Sequence, residues 1–552
     1  MIHQRLEKII KDSLNNLLNS GKLEKNFIDF GFDFEIPREG LGDYTAKIYK
    51  ITNREIDNYP IKGVIKGAAK NFPEEESRII AEEIRKHPDF KTIFENIKFE
   101  IPVFFNFFLS KEYLQSQIAE ILKQKERFGQ LDIGKGKKVQ VELISANPTG
   151  PLTVGNARGG PFGDVLANIL KKAGFAVEKA YYINDYGMQI LTLGHSVLKD
   201  KDARYKGDYI DYLNAKIKEK DPYKAGQKAA RIILIEMIKK TTDNLGINYD
   251  EWFSESELYK KGEVDKAIEL LRKKNLIYKK EGALWFKATK FADSRDRVIV
   301  KENGEKTYLA GDIAYHRYKF EKKKFDKVIN IWGADHAGDV AGLKAGVEAL
   351  GHKGKLKVIL LQFVTLFEDR EKLKMSKRAG IYVTMDELLK TAGKDVVRFF
   401  FLTKSANTHL NFDLSLAKEQ SEKNPVYYVQ YAYARICSIL RNAESYKLNA
   451  ISYKLLTHPS ELNLIKQLIR LPEIIEDTAQ DHQVQRVPKY AADLAVSFSQ
   501  FYRDCRVLRS NYAKEDKVDK ELSEARLGLT LAVKVALKNT LDLMGISTPK
   551  KM

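Results

Sequence analysis

Two short stretches of this sequence carry groups suited to holding phosphate. The first, VQVELISANPTGPLTVGNARGG at 139–160, alternates apolar and polar residues from Val139 to Ile144, then breaks at Asn147, Pro148 and Gly150–Pro151. Gly155, Gly159 and Gly160 lead into a helical stripe of Leu166, Ile169 and Leu170, with Gly174 just beyond. Strand, glycine-bearing turn and helix is an arrangement in which backbone N–H groups and a helix dipole receive phosphate; the same turn also occurs where nothing binds. The second stretch, KLKMSKRAG at 372–380, sets Lys374, Lys377 and Arg378 around Met375 and Ser376, in a segment too polar for a core. Alone, it reads equally as a solvated basic loop.

Four further acidic or polar residues stand in short motifs. Glu142 and Asn147 stand at the end of the first strand, and Tyr308 and Asp312 lie one turn apart in YLAGD. A lone carboxylate is more often a surface group, so spacing by itself does not assign them.

Together, the two stretches resemble the paired signatures of class I aminoacyl-tRNA synthetases. KMSK (374–377) matches the second signature, and residues 153–156 stand at the first, His-x-Gly-His. ANPTGPL at 146–152, NDYGMQ at 184–189 and the C-terminal block resemble arginyl-tRNA synthetases, over essentially the whole chain. The resemblance implies ATP-dependent ligation of L-arginine to tRNA(Arg) through an adenylate, with release of AMP and pyrophosphate. It implies that Lys374, Ser376 and Lys377, with Thr153 and Asn156, serve the phosphoryl chemistry. ATP would be held by Pro148, Gly150, Gly155, Gly333, Asp335, His336 and Met375, and arginine by Glu142, Asn147, Tyr308 and Asp312. Of these, Tyr308 and Asp312 would face the guanidinium, and Asp185 would support the floor. Mg²⁺ is expected with the nucleotide, and no side-chain metal site is expected. The family habit adds a monomer, and activation that waits for bound tRNA.

The first signature departs from the pattern, because Thr153 and Asn156 replace both histidines. Both can donate hydrogen bonds, but neither becomes cationic. Either the site works with neutral donors, leaning on the lysines and Mg²⁺, or the chain is a non-catalytic tRNA-binding paralogue. The intact KMSK and arginine residues favour the enzyme.

These residues need a scaffold. The periodicity predicts a strand at 139–144, a helix at 157–172 and a strand at 176–183, making one βαβ unit, with further buried strands at 327–332 and 355–364. Crossover handedness then gathers both signatures and WGADHAGD (332–339) at one sheet edge. The expected fold is multidomain α/β: an N-terminal α+β domain over 1–110, a Rossmann-like catalytic domain over 111–405 with an insertion at about 190–300, and an all-α anticodon-binding bundle over 406–552. The first helix carries Leu6, Ile9, Ile10, Leu14, Leu17 and Leu18 on one face, and the aromatics of 98–109 read as core. The C-terminal block carries a stripe of Tyr490, Leu494, Phe498, Phe501, Tyr502, Cys505 and Leu508, then another from Leu527 through Leu531 and Val535 to Leu541, ending near Gly545.

Composition agrees with this reading. The 552 residues suffice for several cores, and 94 Lys+Arg against 75 Asp+Glu leave a net charge of +19, which suits a polyanionic partner. Two cysteines without metal spacing, no signal-like N-terminus and no long apolar run point to a reduced, cytoplasmic setting without a membrane span.

Overall fold

The computed structural model describes residues 1–25, 29–38, 40–51, 69–100, 104–373, 383–443, 451–508 and 520–552. Its centre is a parallel sheet. Strands β6 (Lys138–Glu142), β7 (Ala176–Ile183), β8 (Glu251–Ser254), β12 (Lys327–Gly333) and β13 (Leu356–Leu361) lie in the order β13-β12-β6-β7-β8, and every pairing is parallel. The apolar runs of these strands fit burial on both faces. Val139, Val141, Ile329 and Ile331 are all buried. The helix Gly159–Lys172 makes the crossover from β6 to β7. A Cβ on its Gly163 would lie 2.7 Å from Leu143 Cβ, so glycine lets this helix pack close against the sheet. The carboxyl ends of the strands put Glu142, Ile183, Gly333 and Leu361 along one edge.

Two expectations change. The apolar run 355–364 is not one strand: β13 ends at Leu361, and β14 (Val364–Glu368) joins a separate sheet with β15 (Glu371–Lys372) and β16 (Leu410–Asp413). Composition could not reveal this break, because Leu361 and Val364 are both buried strand residues. Second, β8 lies inside the stretch 190–300 yet completes the central sheet. Its Trp252 and Phe253 stack on Tyr181 and Tyr182 of β7, with ring centroids 4.6 and 6.2 Å apart. The rest of that stretch is largely helical, with a small antiparallel sheet of β9 (Ile277–Lys280), β10 (Ala283–Phe286) and β11 (Arg297–Val300).

The N-terminal region is α+β. The helix Ile2–Asn19 buries Leu6, Ile9, Ile10, Leu14 and Leu17 against an antiparallel sheet. That sheet is built from β1 (Asp29–Glu35), β2 (Tyr44–Ile51), β3 (Ala69–Asn71), β4 (Phe94–Glu100) and β5 (Phe104–Leu109). The aromatics of β5 divide by alternation: Phe105 and Phe107 are core, whereas Phe104 and Phe108 lie half-buried beneath Lys47 and Lys98.

The C-terminal part is all-α, with helices Pro425–Arg441, Pro459–Leu468, Leu471–Asp481, Arg486–Asp504 and Lys520–Met544. The stripe from Tyr490 to Cys505 is buried except for Tyr502, which is 40 % exposed and lies under the Arg435 guanidinium. In the last helix Leu527 and Leu541 are buried, with Leu531 and Val535 on the shoulder. No described helix is long and apolar enough to cross a membrane.

Candidate active site

At the carboxyl edge of the parallel sheet lies a cleft of about 890 Å³, at the upper end of the range usual for small-molecule sites. It brings together Glu142, Asn147, Tyr308 and Asp312 with Thr153, Gly155 and Asn156. Gly333, Asp335 and His336 line it as well. Residues drawn from positions 142 to 336 therefore meet because parallel strands end at a common edge. Pro148 and Gly150 do not line it: Pro148 is buried, and Gly150 backs onto the Tyr209 ring, whose hydroxyl donates to Thr149 O at 3.1 Å. Lys374, Met375, Ser376 and Lys377 lie outside the described residues.

The first signature forms a closed neutral pair. Thr153 caps the four-residue helix Val154–Ala157, its Oγ1 accepting from Asn156 N at 3.3 Å and donating to Asn156 Oδ1 at 2.6 Å. This leaves the Asn156 amide N–H groups as the signature's side-chain donors. Immediately upstream, Ile144 and Ser145 carry φ of 64° and 43°, a conformation that costs a β-branched residue energy and recurs at functional sites. Ser145 Oγ accepts from Tyr182 N at 3.0 Å, tying this turn to β7.

One end of the cleft is acidic. Asp312, on the helix Tyr308–Arg317, makes no side-chain hydrogen bond or ion pair to a described residue. Burial, and next the charge of Glu142, push its pKa up to about 7, with Lys319 pulling the other way. Facing it is Glu255, 3 % exposed, which the sequence did not single out. Glu255 Oε2, the Tyr182 hydroxyl and Asn184 Oδ1 are all buried without a hydrogen-bond partner among the described residues. Burial raises the Glu255 pKa to about 8, with further upward contributions from Asp312 and then Asp185. A buried carboxylate oxygen left without a partner at the wall of a cleft calls for a donor from a ligand.

The helix bearing Asp312 can approach Glu255 because residue 311 is glycine; a Cβ there would lie 3.0 Å from Glu255 Oε1. Asp185 holds the turn that carries Glu255, accepting from the Ser254 hydroxyl, from Ser256 N at 2.9 Å and from Ser256 Oγ at 3.1 Å. Asp185, expected to support the floor, thus fixes a neighbour that no local pattern singles out. A Glu in ESELYK looks like any surface carboxylate, and only the pairing of β8 with β7 turns it inward.

Glu142 has a partner already. Lys319 Nζ lies 2.6 Å from Glu142 Oε2 and 3.4 Å from Asn330 Oδ1, in a π-helical turn over 318–322. Lys319 is fully buried, and its ammonium sits 4.1 Å from the Tyr315 ring centroid. Beneath it His316 Nε2 accepts from Asn330 Nδ2 at 3.0 Å, and its Nδ1 lies 2.8 Å from Asp312 O. Burial holds this imidazole well below its usual pKa and therefore neutral, so Nδ1 carries the proton. Asn147 donates to Gln189 Oε1 at 2.6 Å. Tyr308 is 54 % exposed at the rim. At the other end His336, Asp335 and Asp339 are open to solvent, with the imidazole within 4 Å of both carboxylates.

Comparison with known proteins places this arrangement in a family. The chain matches a model described as "tRNA synthetases class I (R), catalytic domain" over residues 117–210 and 194–409, and one described as "DALR anticodon binding domain" over 429–552. It is 39% identical over 583 residues to the arginine–tRNA ligase of Acetivibrio thermocellus, covering 100% of this chain and 99% of that one. It is 38% identical to the arginine–tRNA ligase of Bacillus subtilis over the full length of both. Among solved structures, a putative arginyl-tRNA synthetase from Campylobacter jejuni has a TM-score of 0.72 at 32% identity, covering 80% of this chain and 100% of that one. The arginyl-tRNA synthetase of Thermus thermophilus shares the fold over 100% of both chains, with a TM-score of 0.74 at 21% identity. With full-length relatives at this identity and the catalytic-domain match across the cleft, the chain belongs to the arginine–tRNA ligase family.

Proposed function

We propose that this chain joins L-arginine to tRNA(Arg) in two steps driven by ATP. The arginine carboxylate attacks the α-phosphorus of ATP, and pyrophosphate leaves with its bonding electron pair. A terminal ribose hydroxyl of the tRNA then attacks the adenylate carbonyl, and AMP leaves. Neither step needs a covalent bond to protein, so the chain's task is alignment and charge neutralisation. The observation that carries the reading is the acidic end of the cleft, where Asp312 and Glu255 both line the wall and Glu255 Oε2 is buried without a hydrogen-bond partner among the described residues.

In this reading the guanidinium lies between Asp312 and Glu255, with Tyr308 at the rim. Glu142 Oε1 and Asn147 hold the other end of the substrate, Lys319 keeping Glu142 oriented. Gly333, Asp335 and His336 hold adenosine, and the Gly155–Asn156 turn meets the phosphates. ATP enters with Mg²⁺ as part of the substrate. Lys374 and Lys377 carry the remaining phosphate charge, with Ser376 donating a hydrogen bond. Asn156, a neutral donor, leaves those lysines more of the work than a histidine would. We read 1–110 and 406–552 as the tRNA-contacting domains on either side of the catalytic one, in a cytoplasmic monomer.

The experiment is charging of tRNA with radiolabelled arginine and ATP, in wild type and in Lys377→Ala. Charging that falls at least a hundredfold in the variant supports the assignment. A wild-type chain that binds tRNA but does not charge it sinks the ligase reading.

A further inference from the structure

Arg158 lies two residues beyond Asn156 and is 2 % exposed. No carboxylate among the described residues pairs with it. Its guanidinium instead donates to three backbone carbonyls: Nη1 to Gln362 O, and Nη2 to Thr408 O at 2.9 Å and Ser405 O at 3.2 Å. Burial alone lowers its pKa, to about 10, so it stays charged at neutral pH. A buried cation without a counter-ion is costly, and an apolar side chain would fill the space more cheaply.

What the guanidinium fixes is the break between β13 and β14. Gln362 N donates to Ala406 O at 3.0 Å and Leu410 N to Phe363 O at 3.0 Å, so Arg158 closes a knot of chain around Gln362–Phe363. Phe363 lines the cleft and is 57 % exposed, unlike the other described phenylalanines of the central region. A large exposed aromatic on a hydrogen-bonded backbone, lining a cleft that also holds Gly333 and Asn156, offers apolar surface on which a planar ligand can stack.

We propose that Phe363 stacks on a purine base in this cleft, and that Arg158 is the positioning residue that sets the ring by clamping Gln362 O. The proposal rests on the ligase reading. The base belongs either to ATP or to the 3′-terminal adenosine of tRNA, and the two sources separate kinetically.

The test measures KM for ATP and KM for tRNA, each with the other substrates saturating, in the full-length chain carrying Phe363→Ala, Phe363→Trp or Arg158→Lys. Loss of base stacking is expected to raise one of the two KM values about tenfold in Phe363→Ala. Phe363→Trp should restore it, and Arg158→Lys should reproduce the rise. ATP as the source moves KM for ATP; the terminal adenosine moves KM for tRNA. The double variant Arg158→Lys/Phe363→Ala should be no worse than Phe363→Ala, because both act on one ring. Both KM values within twofold of wild type in Phe363→Ala would overturn the stacking assignment. A double variant whose effects multiply, or an Arg158→Lys that loses thermal stability with KM unchanged, would overturn the positioning role. If Arg158→Lys does not fold, the exposed Phe363 pair still decides the stacking. Failure of the ligase reading is separate, since the wild type would then not charge tRNA.

Discussion

Lys319 Nζ and Glu142 Oε2 meet at 2.6 Å, with the lysine side chain fully buried and the glutamate 6 % exposed. The pair lies beneath a cleft whose other acidic groups, Asp312 and Glu255, have no such partner. Without Lys319, three carboxylates would share one low-dielectric site, and like charges in that setting do not all ionise. The lysine therefore occupies one carboxylate and leaves the others for a bound cation. Truncating it in Lys319→Met should cost about 3–5 kcal/mol of stability, because Glu142 stays buried alone. It should also raise KM for arginine at least tenfold at pH 7. The double variant Glu142→Gln/Lys319→Met should recover most of the stability, read by thermal melting, without recovering KM. Recovery of both would mean that the pair only supports the fold.

Protons should leave the site when arginine enters. Burial raises Asp312 to about 7 and Glu255 to about 8, so below these values each carboxyl holds its proton. A guanidinium interacts favourably with the ionised form alone, so binding pulls both pKa values down. The sign follows: KM for arginine should be high at pH 6, fall as pH rises through 7 and 8, and flatten above. Each proton coupled in this way contributes up to about tenfold per pH unit. Glu255→Gln should remove the upper part of the dependence, and calorimetry in buffers of different ionisation enthalpy should count the protons. A flat KM between pH 6 and 8.5 would contradict the arrangement.

How much of this was legible in the sequence depends on the kind of interaction. The β6 strand, the crossover helix and β7 follow from alternation and from a helical stripe ended by Gly174, all local signals. Asn147, Tyr308 and Asp312 were visible through a resemblance that places them in motifs. Glu255 and Lys319 were not, because each becomes a site residue through a partner far away in sequence. Glu255 needs β8 to pair with β7, and Lys319 needs a π-helical turn aimed at β6. The break at Gln362–Phe363 was hidden for a similar reason. Its strand signal is continuous, and the clamp from Arg158 comes from 204 positions away.

The neutral first signature makes a kinetic prediction. Thr153 Oγ1 holds Asn156 Oδ1 at 2.6 Å, which leaves the amide N–H groups for the phosphates in the proposed reading. A donor aimed where charge develops acts in the transition state more than in the ground state. Asn156→Ala should therefore lower kcat about a hundredfold, with KM for ATP nearly unchanged. Thr153→Val should lower it less, since the amide persists but loses its orientation, and should cost about 1 kcal/mol through the lost helix cap. A rise in KM at constant kcat would assign Asn156 to uniform binding instead.

The last prediction concerns how the C-terminal helices are fastened to the catalytic sheet. Arg398 is fully buried and reaches Asp164 Oδ2 at 2.5 Å, Met544 O at 2.6 Å and Leu245 O at 2.9 Å. Asp164 lies on the helix that follows the first signature, and also binds Lys179 Nζ at 2.8 Å. Met544 ends the last helix, where the dipole favours a cation, and Gly545 follows at φ 65°. A Cβ there would lie 2.6 Å from Arg398 Nη2. One guanidinium thus joins the end of the C-terminal helix to the helix Gly159–Lys172. Arg398→Met should leave two carbonyls and part of Asp164 unsatisfied inside the protein, at a cost of about 3–5 kcal/mol. Gly545→Ala should displace the same guanidinium while leaving its charge in place, and so cost less. If the contact only stabilises, both variants will melt earlier but charge tRNA at the wild-type rate below their transitions. If it also sets the position of the C-terminal helices relative to the cleft, KM for tRNA will rise in both, in the same order as the loss of stability, while KM for arginine stays fixed.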